Sequence, residues 1–196
     1  MRRVRTHTNP LNINHRFDEV VLPENPVALD IEIGFGKGVF LNHWATHHPQ
    51  HHVVGIEVRK QMVVLLEEKL TLNPCSNISI YHGNGQIFLE DVPEDNSVDR
   101  LFIFHPDPWF KKRHHKRRVI TEPFIHLIAK KLKPQGKLYL STDVEPLFID
   151  MNEQLINTAL FKAVDDPFWQ TLYKTHWGEF SKENNRASFK QAYQRN

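Results

Sequence analysis

The chain has 196 residues, 40% hydrophobic and 24% charged, with 25 lysines and arginines against 23 acids and a net charge of +2. A chain of this size forms one ordinary domain that buries ~70% of its extended surface. A balance this close to neutral excludes capture of a polyanion by overall charge and leaves that task to local clusters. The single cysteine, Cys75, excludes an internal disulfide and a multi-cysteine zinc site, and it suits a reducing compartment. No apolar run approaches the ~20 residues of a membrane span, and the basic start Met1-Arg2-Arg3 has no apolar core behind it. A cytoplasmic location is expected.

Residues 1–26 are polar, carry Pro10, Pro23 and Pro26, and read as a basic, partly mobile arm; 27–196 form the folded domain. From Val27 strands and helices alternate. A strand over Val27–Ile33 leads to a helix over Gly38–His48 stopped by Pro49, then a strand over Val53–Glu57 and a helix over Lys60–Leu72. A short strand at Ile78–Tyr81, a short helix near Gly85–Asp91 and a strand at Val98–Phe104 follow. The spacing then predicts a helix over Glu122–Leu132, a stop at Pro134-Gln135-Gly136, a strand over Lys137–Thr142 and a helix over Pro146–Leu160. The aromatic tail, 161–196, is expected to hold the last strands. This alternation predicts an α/β fold with a mostly parallel, doubly wound sheet.

Asp30-Ile-Glu-Ile-Gly-Phe-Gly-Lys-Gly38 is a strand ending in a glycine-rich turn that opens a helix. Gly34, Gly36 and Gly38 permit a tight turn and close backbone approach, as a nucleoside-like ligand requires. Glu57 ends the next strand roughly twenty residues further on, where a carboxylate can grip two ribose hydroxyls. The Gly-x-Gly-x-Gly spacing departs from the dinucleotide fingerprint. Glu32, directed into the same turn, disfavours a pyrophosphate and suits a cationic ligand with a free ammonium, such as S-adenosylmethionine. Asn84, in His82-Gly-Asn-Gly85, falls after the third strand, within reach of an adenine edge.

The second informative stretch is Pro106-Asp107-Pro108-Trp109, followed by Lys111, Lys112, Arg113, Lys116, Arg117 and Arg118 within eight residues. A carboxylate and an indole at a strand's C-terminal edge, beside a cationic loop, suit the placing of a flat base next to a reactive centre while its phosphates are held. Trp109 reads equally well as a stacking platform and as a packing residue.

Asp30–Gly38, Gly55-Ile-Glu57, Pro106–Trp109 with its basic run, and Ser141-Thr-Asp-Val-Glu-Pro146 occur in the order found in tRNA (guanine-N7) methyltransferases, which the chain closely resembles over about residues 27–150. The resemblance implies a class I, Rossmann-like methyltransferase fold: a mostly parallel seven-stranded sheet with an antiparallel C-terminal hairpin. It also implies methyl transfer from S-adenosyl-L-methionine to N7 of a guanine in the tRNA variable loop. Carried over, Glu32, Glu57, Asn84 (Asp in most members) and Asp107 match cofactor-contacting positions, and Asp107 matches the proposed catalytic acid. Lys111 and Asp143 match substrate-contacting positions, and the run through Arg118 matches the RNA-binding loop. The family's Thr-Lys-Phe-Glu tetrad is replaced by Thr175-His176-Trp177-Gly178-Glu179, with Thr175 and Glu179 aligned to its outer positions across one inserted residue. No obligate protein partner is implied, and a monomer or homodimer is expected.

Thirteen histidines invite a metal, but His43 and His47 lack a third ligand and a His-Glu-x-x-His motif, so they read as a surface cluster and no metal is expected. The readings that compete with the tRNA methyltransferase are a methyltransferase acting on another RNA, a protein or a small molecule, and a cofactor-binding RNA-binding module with little or no turnover. A nicotinamide dehydrogenase is disfavoured by Glu32 and the glycine spacing.

Overall fold

The computed structural model describes residues 9–24 and 26–196, apart from the side chains of Leu11 and Lys112. It contains β1 (Leu29–Ile33), α1 (Val39–His47), β2 (His52–Glu57), α2 (Lys60–Leu72), β3 (Ile78–His82), α3 (Gly85–Asp91), β4 (Val98–Phe104), α4 (Glu122–Lys131), β5 (Leu132–Thr142), α5 (Glu145–Asn157), β6 (Phe161–Val164), α6 (Phe168–Thr171), α7 (His176–Glu183) and β7 (Phe189–Arg195). Short 3-10 turns occur at Pro10–Asn12 and Lys112–Arg117.

The strands form one seven-stranded sheet in the order β3-β2-β1-β4-β5-β7-β6. β1 to β5 are parallel, and β7 runs antiparallel between β5 and β6. The central strands are near-continuous apolar runs because helices cover both faces; every residue of β2 is buried. One face packs Ile31, Val54, Leu101 and Ile103 against α3, α4 and α5 through Phe88, Phe124, Ile128 and Met151. The other packs Val53, Phe102 and Tyr139 against α1, α2 and α6 through Phe40, Trp44, Leu66 and Phe168. Chain order reverses between β1 and β4, so a crevice opens at the C-terminal ends of these strands, the usual ligand seat of such sheets.

The structure departs from the predicted elements in three places. β5 starts at Leu132, directly after α4, because Leu132 already pairs with Val98; the Pro134-Gln135-Gly136 stop is a register break inside the strand, with Gln135 at φ +66°. The tail holds two short helices, α6 and α7, as well as two strands. Residues 9–22 of the arm are docked: Phe17 is buried against Phe88, its N–H reaches Asp91 Oδ2 at 3.0 Å, and Arg16 pairs with Asp91. Residues 1–8 of the arm lie outside the described residues.

Candidate functional site

The crevice is a cavity of about 460 Å³. Its floor comes from the ends of β1 and β2. A strand places alternate side chains on opposite faces, and the last residues before the turn face the crevice. Glu32 is 3% exposed and one carboxylate oxygen, Oε2, has no hydrogen-bond partner. Burial first, and then the neighbouring Glu57, raises its pKa to about 8. A buried carboxylate with an orphan oxygen is costly and marks a place for a cationic group.

Glu57 is fully engaged. Its Oε2 accepts from the Gly36 N–H at 2.9 Å and from Arg59 Nη2 at 2.9 Å, while Oε1 accepts from the Arg59 backbone N–H and Nε, both at 3.0 Å. Gly36 has φ +56°, and a Cβ there would come within 3.5 Å of Arg59 Nη2. That is ordinary contact distance, so it is the left-handed backbone, not lack of space, that favours glycine where the turn closes onto the strand-end carboxylate. Gly34, at φ +82°, also lines the cavity. Gly38 does not: it precedes α1, and a Cβ there would collide with Leu66 at 2.5 Å. Its missing side chain lets α1 approach α2, and it sits behind the cavity wall rather than in it.

Asn84 lines the cavity, and its amide is committed to local bonds. It caps α3 by accepting from Gln86 N–H at 2.9 Å, and it donates to the Pro10 carbonyl at 3.2 Å. Pro10 itself forms part of the wall, so the docked arm completes the cavity.

The opposite wall is Pro106, Asp107 and Trp109 after β4. His105 and Trp109 both adopt left-handed backbone, φ +49° and +44°, which costs non-glycine residues ~1–2 kcal/mol each. Contacts hold the turn in place. The His105 N–H bonds to the Ser141 carbonyl at 2.8 Å, and its Nε2 lies 2.9 Å from the Tyr173 hydroxyl, which also meets Ser141 Oγ at 2.9 Å. The Asp107 carboxylate is near enough to Arg59 to help keep that guanidinium charged, after the larger effect of Glu57. Trp109 is not packed into the sheet: the Arg117 guanidinium sits 5.0 Å over its ring and His114 meets it edge-on.

The basic loop divides. Lys116 and Arg117 line the cavity mouth, while Lys111 and Arg113 are exposed outside it. The side chain of Lys112 lies outside the described residues. Arg118, expected to hold phosphate, also lines the cavity but is tied down as a strut: Nη1 pairs with Asp150 at 2.8 Å and Nε donates to the Pro108 carbonyl at 3.1 Å. It anchors the loop to α5.

Of three further expected substrate residues, Asp143, Thr175 and Glu179, Thr175 alone lines the cavity. Asp143 does not line the cavity; its carboxylate is 6% exposed, 3.0 Å from Arg186 Nη1 and 3.8 Å from His105 Nδ1. The neighbouring His105 imidazole first, then Arg186 and Trp177, hold its pKa well below the usual carboxylate range. Thr175 lines the cavity and caps α7, accepting from the Gly178 N–H at 2.8 Å. Gly178 thus occupies the third helical position, where a capping-box acid would reach back. Glu179 falls one residue later and leaves the cavity wall.

Sequence reasoning missed Arg59, Pro10, Tyr173 and Arg186. Only Arg59 left a trace, a basic residue two positions beyond the strand-end acid at the start of α2. Among the described residues no group of three His, Cys, Asp or Glu is placed to hold a metal.

Residues 25–194 match the model of a family described as putative methyltransferase. The chain is 32% identical to the tRNA (guanine-N(7)-)-methyltransferase of Prochlorococcus marinus (strain AS9601), over 83% of this chain and 82% of that protein. It is 39% identical to the enzyme of the same name from Stutzerimonas stutzeri (strain A1501), over 73% of this chain and 59% of that one. It is 32% identical to that of Thermus thermophilus, over 87% of this chain and 54% of that one. The chain therefore spans little more than half the length of several relatives it matches. Among solved structures, the 16S rRNA methyltransferase KamB superposes with a TM-score of 0.63 at 14% identity, over 86% of this chain and 87% of that one. An aminoglycoside resistance methyltransferase superposes with a TM-score of 0.61 at 17% identity, over 86% and 87%. At such identity these likenesses establish the fold alone: an S-adenosylmethionine-dependent methyltransferase architecture.

Proposed function

The chain belongs to the tRNA (guanine-N7)-methyltransferase family, and on that premise we propose that it methylates N7 of a guanine in the tRNA variable loop, with S-adenosyl-L-methionine as donor. One observation carries this reading: a single cavity is bounded on one side by Glu32 and Glu57 and on the other by Asp107 and the basic loop.

The residues fit the donor. The orphan oxygen of Glu32 suits the ammonium of its amino-acid end, Glu57 suits the ribose hydroxyls, and Gly34 and Gly36 leave room for close backbone approach. When bound, S-adenosylmethionine supplies a methyl carbon activated by a sulfonium. The chain's own task is then mostly positioning, because guanine N7 carries an acceptor lone pair and needs no prior deprotonation. Asp107 accepts hydrogen bonds from the guanine N1–H or exocyclic amine and fixes the ring plane. His105, braced by Tyr173, holds the turn that presents Asp107. Lys116 and Arg117 hold phosphates at the mouth, with Lys111 and Arg113 adding contacts outside it. Arg59 must yield part of Glu57 when the ribose arrives, and its guanidinium then remains beside Asp107.

The test is Asp107→Ala. Methyl transfer should fall on the order of 10²-fold or more, since positioning alone can contribute several kcal/mol. Calorimetric binding of S-adenosylmethionine should stay within a few-fold of the native protein. Near-native turnover in this variant would overturn the positioning role.

A second reading, a cofactor-binding RNA-binding module with little turnover, is favoured by Gly178 and the exit of Glu179 from the cavity wall. Donor binding without methyl transfer to any unmodified tRNA would decide for it. No described helix is long and apolar enough to cross a membrane. We place the reaction in the cytoplasm, carried out by a monomer or homodimer without an obligate protein partner.

A further inference from the structure

A second cleft, of about 540 Å³, lies between α1 and α2. It shares Lys37 and Val39 with the wall of the main cavity, so the two open on either side of the glycine turn. Its polar lining is cationic: Lys37 from the turn, Lys69 from α2, Lys174 from the segment before α7, and His43 and His47 from α1. Asn42 and Asn73 add side-chain amides. Among the described residues no carboxylate lines the cleft, and none of the three lysines has an ion-pair partner. Several other surface bases of the molecule are neutralised within the fold, as in Lys130 with Asp95, Lys133 with Asp99, and Lys137 with Asp166. Burial, followed by His47, Lys174 and His48, lowers the pKa of His43, as expected for an imidazole in a field short of negative charge.

Three elements distant in sequence thus converge their cations on one open cleft and leave them uncompensated. Lysine ammoniums are compact, rotatable point charges, well suited to phosphate groups on a flexible strand. The cleft and the basic loop also bracket the cavity from opposite faces of the sheet: the loop leads into α4 on one face, and the cleft lies between the helices of the other.

We propose that this cleft is a second phosphate-binding site for the RNA substrate, so that the nucleic acid is held on both sides of the base delivered to the cavity. This rests on the RNA-methylating function proposed above. A polyanion anchored at one side only would pivot about the loop, whereas two anchors fix the approach of the base. The histidines, which had no role as a metal site, acquire one here as polar lining.

The test uses the full chain and an unmodified tRNA transcript, comparing the Lys69→Glu/Lys174→Glu pair with Lys162→Glu on the edge strand β6. Log affinity is measured against log salt, together with methyl transfer and S-adenosylmethionine binding. Each lost phosphate contact removes about 0.7–0.9 from the salt slope, so the pair should lower it by roughly 1.5. The KM for tRNA should rise about tenfold or more, while kcat at saturating tRNA and donor affinity hold. Lys162→Glu should leave the slope unchanged. A paired variant with native slope and native KM, in a preparation that methylates tRNA, overturns the cleft and leaves the methyltransferase reading intact. A lowered slope in a protein that never methylates guanine N7 does the reverse.

Discussion

The inner wall of the cavity and its outer rim are built by different means. At the inner wall, Glu32 and Glu57 sit at the ends of adjacent parallel strands, and their direction follows from strand period and from the glycine turn that must close on them. At the rim, residues of equal chemical promise have been reassigned by contacts from distant parts of the chain. Arg118 is taken by Asp150 and the Pro108 carbonyl, Asp143 by Arg186 and His105, and Glu179 is displaced by Gly178. Charge at a strand end is committed by the backbone, while charge on a loop goes to whichever partner tertiary packing brings.

The sharpest way to break this contrast is through Glu32, whose pKa is raised to about 8. In the ligand-free protein it keeps its proton until pH nears 8. Its contribution to stability is therefore fully present below the ordinary carboxylate pKa of 4.5 and is lost as pH rises towards 8. A cationic donor reverses the preference and requires the ionised form. Donor affinity should rise between about pH 6 and 8, by at most tenfold per pH unit, as one proton is released on binding. Glu32→Gln should flatten that profile, weaken binding at pH 8, and melt higher than the native ligand-free protein at the same pH. Calorimetry in buffers of different ionisation enthalpy reads the released proton directly; a pH-independent native affinity would remove Glu32 from the cradle.

A smaller effect separates the two kinds of arginine in the loop. Lys116→Glu with Arg117→Glu should lower the salt slope of tRNA binding by roughly 1.5. Arg118→Ala should leave the slope nearly unchanged and instead lower the melting temperature. If Arg118→Ala moved the slope as much as the pair, the division of the loop would be wrong. Removing Arg117 also uncovers Trp109, so quenching of that indole on RNA binding would be altered in the pair alone.

The smallest effect is expected at Asp143. Its pKa is depressed, so its contribution to stability is present above the ordinary carboxylate range and lost as pH falls through acid values. Asp143→Asn should lower the melting temperature by several degrees at neutral pH, corresponding to ~1–2 kcal/mol, and by much less in acid. Donor affinity should not change. A large loss of donor binding would return Asp143 to the cavity.

The same contrast explains what could be read from the sequence. The parallel strands and the helices between them follow from apolar runs broken by Gly and Pro, and α2 and β4 appear where the spacing predicts them. β5 begins early because Leu132 pairs with Val98, a long-range contact that local stop signals do not encode. Glu32, Gly34, Gly36, Glu57, Asn84 and Asp107 converge on one cavity because each lies at the C-terminal end of a strand. Gly38 could not be told from its neighbours, since its reason is Leu66 on another helix. Arg59, Tyr173 and Arg186 act through partners that only the fold identifies, and the wall made by Pro10 depends on the docking of Phe17 beside α3.

The most direct test of the central claim is transfer of tritiated methyl from S-adenosylmethionine to unmodified tRNA, followed by borohydride–aniline scission at 7-methylguanosine. The native chain should incorporate the methyl group and give a single cleavage within the variable loop, both lost in Asp107→Ala. Incorporation without scission, or scission outside the variable loop, would contradict the claim, as would donor binding with no incorporation into any tRNA.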